Sequence, residues 1–131
     1  MKYLGIDYGK SKIGLAISEG QIASPLEVVA INSLVDALAK VENVIVKEGI
    51  NRVVVGVPES GEAEKIARKF IHKLDIFYKN EIIEVIAVDE TLSSHDAKEL
   101  MKDLNLNRKK RREEDAYAAV IILQNFLDSL Q

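Results

Sequence analysis

Asp7 is a carboxylate set in an otherwise apolar run, Tyr3-Leu4-Gly5-Ile6-Asp7-Tyr8. An ionised group there is costly unless something compensates it. Further acids stand where other apolar runs end or begin: Glu59 after Val57-Pro58, Asp89 and Glu90 after the run Ile82 to Val88, and Asp115 directly before the run Ala116 to Leu123. Carboxylates that face one another without a cation repel and are driven to protonate, whereas a hard ion such as Mg²⁺ takes oxygen from one or two of them together with substrate phosphate. The chemistry open to such a set is metal-assisted phosphoryl chemistry, in which two ions clamp the attacking and leaving oxygens. Candidate phosphate-holding groups lie close by in sequence. Lys10 and Lys12 follow Asp7, and the unbroken basic run Arg108-Lys109-Lys110-Arg111-Arg112 precedes Glu113, Glu114 and Asp115. Such groups hold a nucleic-acid backbone without reading its sequence.

Each of these residues also has an ordinary structural role open to it. An acid just past a strand is common surface punctuation, and a basic run is commonly a solvated loop. Acids in the first turn of a helix offset its dipole, which accounts for Glu113 and Glu114. Asp7 lacks such an account, and Asp115 abuts the apolar run and is the least solvated of its trio. His72 and His95 are isolated on helical faces; His72 reads as a packing or surface residue, while His95, near Glu90 in sequence, keeps a site role open. Gly5, Gly9 and Gly14 invite comparison with a phosphate loop, but only Gly9 falls in a turn. The other two mark close backbone approach within strands. The chain carries no Walker A or dinucleotide-binding pattern.

The elements that must position these residues follow from periodicity. Tyr3 to Asp7 and Ile13 to Ser18 read as strands joined by the turn residues Tyr8 to Lys12, and Leu26 to Ile31 is a third extended segment after Pro25. Ser33 with Asp36 three residues later resembles a capping box, and Leu34, Val35, Leu38, Val41 and Ile45 recur at helical spacing up to Gly49. Arg52 to Val57 is Val-rich, short and ended by Pro58, as expected of a buried parallel strand. A helix through Ile66, Ala67, Phe70, Ile71 and Leu74 follows, then a strand from Ile82 to Val88. Ser93 or Ser94 caps a helix containing Ala97, Leu100, Met101 and Leu104. The run Ala116 to Leu123 has no polar face, so the last helix is expected to be almost wholly enclosed. The order βββαβα, βα and a final helix predicts an α/β fold with a mixed five-stranded sheet flanked by helices, beginning with three antiparallel strands and continuing with parallel ones. Right-handed crossovers then bring the carboxyl ends of the first, fourth and fifth strands to one edge, where open α/β sheets bind ligands. Asp7, Glu59, Asp89, Glu90, Lys10 and Lys12 all fall there. Connectivity alone does not bring Asp115 to that edge, although Asn105 to Arg112 can span about 25 Å when extended, which is enough.

With 131 residues and 47% apolar composition, the chain is expected to form one domain over residues 1–131. The lack of cysteine excludes disulfides, Cys-ligated metal centres and a thiol nucleophile, and fits a cytoplasmic protein. Met1 leads directly into the first strand, and no run is apolar enough for a secretion signal or a membrane span. The net charge of −3 excludes a protein that coats nucleic acid by bulk attraction, so any binding face must be local. Neither a monomer nor a homodimer is favoured.

Four motifs in order, Gly5-Ile6-Asp7-Tyr8-Gly9 with Lys12-Ile13-Gly14-Leu15-Ala16, Val54-Val55-Gly56-Val57-Pro58, Val88-Asp89-Glu90-Thr91-Leu92-Ser93-Ser94, and Asp115-Ala116-Tyr117-Ala118-Ala119-Val120-Ile121-Ile122-Leu123, resemble those of the YqgF/RuvX family along essentially the whole chain. The resemblance implies an RNase H-like fold, akin to that of Holliday-junction resolvases, and a nuclease associated in bacteria with maturation of the 5′ end of pre-16S ribosomal RNA. It implies Asp7, Glu90 and Asp115 as the acidic triad that binds Mg²⁺ or Mn²⁺, with Asp89 a neighbour. Two places depart from the family's pattern: Thr91 stands where Arg is common, and the segment Glu59 to Glu64 is shorter than the usual loop. Three functions compete. The first is a metal-dependent endonuclease acting on ribosomal precursor RNA or, alternatively, on branched DNA. The second is a sugar-kinase or actin-like ATPase, which shares an Asp-Gly hairpin motif but needs two such domains. The third is a non-catalytic nucleic-acid-binding or ribosome-assembly module, which gains nothing from acids aimed at phosphate.

Overall fold

The structure, a computed structural model, describes residues 1–90 and 114–130, with their side chains except those of Glu114 and Asp115. The described elements are β1 (Tyr3–Tyr8), β2 (Lys12–Ser18), β3 (Ser24–Ala30), α1 (Leu34–Glu48), β4 (Arg52–Val57), α2 (Gly61–Phe77), β5 (Glu84–Asp89) and α3 (Glu114–Ser129). The expected helix from Ser93 or Ser94, the basic run Arg108 to Arg112, Thr91 and His95 lie outside the described residues.

The five strands form one sheet in the order β3-β2-β1-β4-β5. β2 is antiparallel to both β1 and β3, while β1, β4 and β5 run parallel. This is the mixed sheet expected from the sequence, and it brings the carboxyl ends of β1, β4 and β5 to one edge. Side chains alternate faces along each strand, so each layer of core takes every second residue. Leu4, Ile6, Tyr8, Val53 and Val55 face α1 and α2, packing with Val41, Ile45, Phe70 and Leu74. Tyr3, Ala16 and Val54 face α3, packing with Ala119, Ile122, Leu123 and Leu127. The molecule is thus a sheet between two helical layers.

Local chemistry sets the helix ends. The Ser33 side chain accepts from the Asp36 N–H, and Gly49 closes α1 in the left-handed conformation at φ 67°, which glycine adopts without a Cβ penalty. The Asp36 carboxylate accepts in turn from the Asn32 N–H at 2.9 Å and pairs with Lys40 at 3.1 Å. At α2, Ser60 sits at the cap position without a side-chain cap bond.

The starts of β3 and β5 and the burial of the last helix differ most from expectation. β3 begins at Ser24 and includes Pro25, opposite Ala16 and next to a register shift at Leu15/Ala16; an edge strand accepts a residue without an N–H. β5 begins at Glu84 because Glu84 is the first residue to join β4, and Ile82 is 94% exposed. The last helix is less enclosed than its composition implied, with Tyr117, Val120 and Ile121 half-buried while Ala116, Ala118, Ala119, Ile122 and Leu123 are buried. It covers one face of the sheet without being sunk in the core. Among the described residues, no helix is long and apolar enough to cross a membrane.

Candidate active site

Asp7 is the penultimate residue of β1, and alternation puts it on the α3 face with Tyr3 and Gly5. Its cross-strand partner on β2 is Gly14. On the other side, β1 and β4 are in register through Ile6 and Val55, and one more step sets Asp7 beside Gly56. Glycine therefore flanks Asp7 on both neighbouring strands, and Gly5 precedes it on its own face. Asp7 is half-buried there.

Glu90 reaches the same place from β5. Its N–H donates to the Val57 carbonyl at 2.9 Å, extending the β4–β5 ladder by one residue. It shares a face with Val88, which packs on the α3 side. Its side chain is only 7% exposed. The Glu90 Oε2 atom lies 3.3 Å from the point that a Cβ on Gly56 would occupy. It thus leans over β4, the strand between β5 and β1, which are each ~4.8 Å from it. Asp7 occupies the next strand on the same face, beside Gly56.

Asp89 goes the other way. It pairs with Val57 in register and lines a groove on the α2 side with Val57, Pro58, Glu59, Glu64 and Arg68. The Arg68 guanidinium donates to Glu64 there at 3.0 Å. Adjacent acids have been parted by the pleat, and the sheet separates Asp89 and Glu59 from Asp7 and Glu90.

α3 supplies the remaining position. Tyr3 meets Phe126 with ring centroids 6.0 Å apart. A Cβ on Gly5 would lie 2.7 Å from Leu123 Cβ and 3.0 Å from the Ala119 carbonyl oxygen. Passing from Tyr3 to Gly5 therefore means climbing α3 towards its amino end, so α3 runs antiparallel to β1. Asp7 is two residues past Gly5, about 7 Å along the strand, and Asp115 is four residues before Ala119, about 6 Å along the helix. Position 115 comes to the level of Asp7, on the stripe continued by Ala119, Ile122 and Phe126. Gln124 fixes the opposite part of α3, accepting from the Ala23 N–H and donating to the Gln21 carbonyl, each at 2.9 Å.

The basic candidates separate as well. Lys12 shares a face with Gly14 and Ala16, the face of Asp7, and is exposed at the sheet edge. Lys10 lies at that edge but lines a groove of the other layer with Tyr8, Leu34, Ile66 and Lys69. Tyr8 stacks on Phe70 at 4.5 Å, and burial raises its phenol pKa above the ordinary value. His72 is exposed on α2.

Among the described residues, no three carboxylates or imidazoles gather closely enough to hold an ion. Asp7 and Glu90 make a two-acid set of hard oxygen donors, one of them buried, and the helix position that would supply a third starts level with them. Such a donor set fits Mg²⁺ or Mn²⁺ and does not fit a soft metal. Gly56 enters the sequence analysis only within a motif; the signal for its place beside the acids is a lone glycine interrupting a valine strand. Nothing in the sequence marked the Arg68 groove.

The sheet order β3-β2-β1-β4-β5, with helices on both faces, is that of an RNase H-like α/β fold. Thermus thermophilus RuvC in complex with a Holliday junction substrate has this fold, with a TM-score of 0.64 at 20% identity over 99% of this chain and 95% of that one. The fowlpox virus Holliday junction resolvase matches over the whole of both chains, with a TM-score of 0.70 at 14% identity. A family model described as "RuvX: Holliday junction resolvase" matches residues 1–129. A relative from Fusobacterium nucleatum described as "Putative pre-16S rRNA nuclease" is 39% identical over 97% of this chain and 96% of its own length. The chain belongs to the RuvX family.

Proposed function

We propose that this chain is a metal-dependent endonuclease that hydrolyses nucleic-acid phosphodiesters, with the 5′ region of pre-16S ribosomal RNA as its substrate. The observation that carries the reading is that strand register sets Asp7 beside Gly56 and the Glu90 carboxylate leans over Gly56 on that same face, while Asp89 lines the groove of the other face. In this reading Asp7, Glu90 and Asp115 hold Mg²⁺ or Mn²⁺. Such an ion, when bound, supplies Lewis acidity towards a phosphoryl oxygen and a nucleophilic water at neutral pH. The protein's own contribution is placement. Burial keeps Glu90 from swinging out to solvent, and the ladder bond to Val57 fixes its backbone. Lys12, on the same face, and the run Arg108 to Arg112, just before Asp115 in sequence, hold the flanking phosphates. The full-length relative described as "Putative pre-16S rRNA nuclease" supports the RNA substrate.

Branched DNA is the second reading, favoured by the description of the matching family model and by the resolvase fold. One experiment addresses both. The purified chain is incubated with Mg²⁺ or Mn²⁺ and either an RNA spanning the 16S 5′ boundary or a four-way DNA junction. Cleavage confined to the RNA is the expected result, and cleavage confined to the junction overturns the substrate assignment. Cleavage that survives Asp7→Asn overturns the assignment of the acids.

A further inference from the structure

Gly56 is the penultimate residue of β4, interrupting its valine run, and a glycine within a strand weakens it and offers nothing to pack. Its backbone does not ask for glycine, because the described glycines with positive φ are Gly49 and Gly61. The requirement is for space. A Cβ at position 56 would lie 2.5 Å from Ile122 Cδ1, 3.0 Å from Ile122 Cγ1 and 3.3 Å from Glu90 Oε2. The first two contacts concern how closely α3 lies on the sheet. The third concerns the acid alone.

We propose that Gly56 is a positioning residue of the acidic centre: the missing side chain lets the Glu90 carboxylate lean across β4 towards Asp7. The inference rests on the reading of Asp7 and Glu90 as metal-holding acids. Even one methyl at position 56 occupies the place over which Glu90 leans. Glu90 is 7% exposed and Ile122 2% exposed, so neither has open space to retreat into. A displacement of a few tenths of an ångström matters here because a metal site holds its donors within about 0.5 Å of their working geometry.

Packing and acid placement can be told apart, because Ile122→Ala removes both atoms that crowd position 56 and leaves Glu90 untouched. Thermal midpoints without metal and Mn²⁺ affinity by calorimetry are measured for the wild-type chain, Gly56→Ala, Ile122→Ala and the double variant. The single Gly56→Ala chain is expected to lose thermal stability. In the double variant the new methyl fills space vacated by Ile122, so the midpoint returns to that of Ile122→Ala or above. Its Mn²⁺ affinity is nevertheless expected to be about tenfold weaker than that of Ile122→Ala, the scale seen when a group supporting a ligand is disturbed. Equal Mn²⁺ affinity in the double variant and in Ile122→Ala overturns the role of Gly56 and leaves the acidic centre standing. A wild-type chain that does not bind Mn²⁺, or an Asp7→Asn chain that binds it as tightly as wild type, overturns the centre and this inference together.

Discussion

Asp89 and Glu90 are consecutive, yet the pleat sends one to the groove beside Arg68 and the other over Gly56 towards Asp7. Neutralising each in turn therefore separates a role in the acidic centre from a general effect of charge. Asp7→Asn and Glu90→Gln each remove one charge and keep the side chain's size and polarity, so without metal the thermal midpoint should stay close to that of wild type. With Mn²⁺ the variants separate. An ion bound only by the folded chain adds about 2.7 kcal/mol at a concentration 100 times its Kd, and that increment should vanish in both variants and persist in Asp89→Asn. Thermal unfolding with and without Mn²⁺ checks this, and loss of the increment in Asp89→Asn but not in Glu90→Gln would refute the division of labour. Asp7 was legible in the sequence because a carboxylate inside an apolar strand needs a reason. The choice between Asp89 and Glu90 was not legible from the pattern alone, since a shift of one residue exchanges the faces of a strand and β5 is partly apolar on both. Only the family motifs singled out Glu90. The register of β4 against β5 puts Asp89 and Glu90 on opposite faces, with Glu90 over Gly56.

Elements whose ends carry their own chemistry were read closely, and elements bounded by tertiary context were not. β4 runs from Arg52 to Val57, as its valine run and Pro58 implied, and α1 begins at Ser33 and closes at Gly49, as its cap residues implied. β5 starts two residues later than its apolar run, because pairing with β4, and not side-chain character, decides where a strand begins. The enclosure of α3 was overestimated for a similar reason: an all-apolar run does not reveal how many neighbours cover it. The cap of α1 offers a pH test of its own. The Asn32 N–H, and after it Lys40, hold the Asp36 carboxyl below its ordinary value of 3.8. A group whose pKa is lower in the folded chain adds stability above its unfolded value, and that stability is lost as pH falls through the folded value. Asp36→Asn should therefore be less stable than wild type at neutral pH, with the gap closing below pH 3.8 as the wild-type carboxyl becomes protonated. Because the pair is exposed the gap should be small. Chemical denaturation at both pH values measures it, and a gap that persists in acid would mean that the carboxylate charge plays no part in the cap.

With 18 basic and 21 acidic residues, the whole molecule carries a net charge of −3 and has no general attraction for a polyanion. Binding must then rest on a local concentration of positive charge, on the side of the molecule where the acids would otherwise repel phosphate. The sheet divides the nearer candidates. Lys12 stands on the face of Asp7, whereas Lys10 lines the groove between Tyr8, Leu34, Ile66 and Lys69 on the other layer. The run Arg108 to Arg112 ends three residues before Asp115 in sequence, and α3 carries position 115 to the level of Asp7. In the proposed function this run supplies most of the phosphate contacts. Each contact that releases a counterion adds about 0.7 to 0.9 to the slope of log affinity against log salt. Replacing all five residues of the run by Gln should therefore flatten the slope for a structured RNA, measured without divalent metal, by about 3.5 to 4.5 if each touches a phosphate. Lys10→Gln should leave the slope within error of wild type, and Lys12→Gln should reduce it by about one contact's worth. Filter binding or fluorescence anisotropy over a range of salt concentrations gives these slopes directly. If the run can be neutralised without changing the slope, the electrostatic grip lies elsewhere and the basic run is only a solvated loop. If Lys10→Gln flattens it instead, the nucleic acid lies over the α2 face, away from the acids, and binding and cleavage could not share one site.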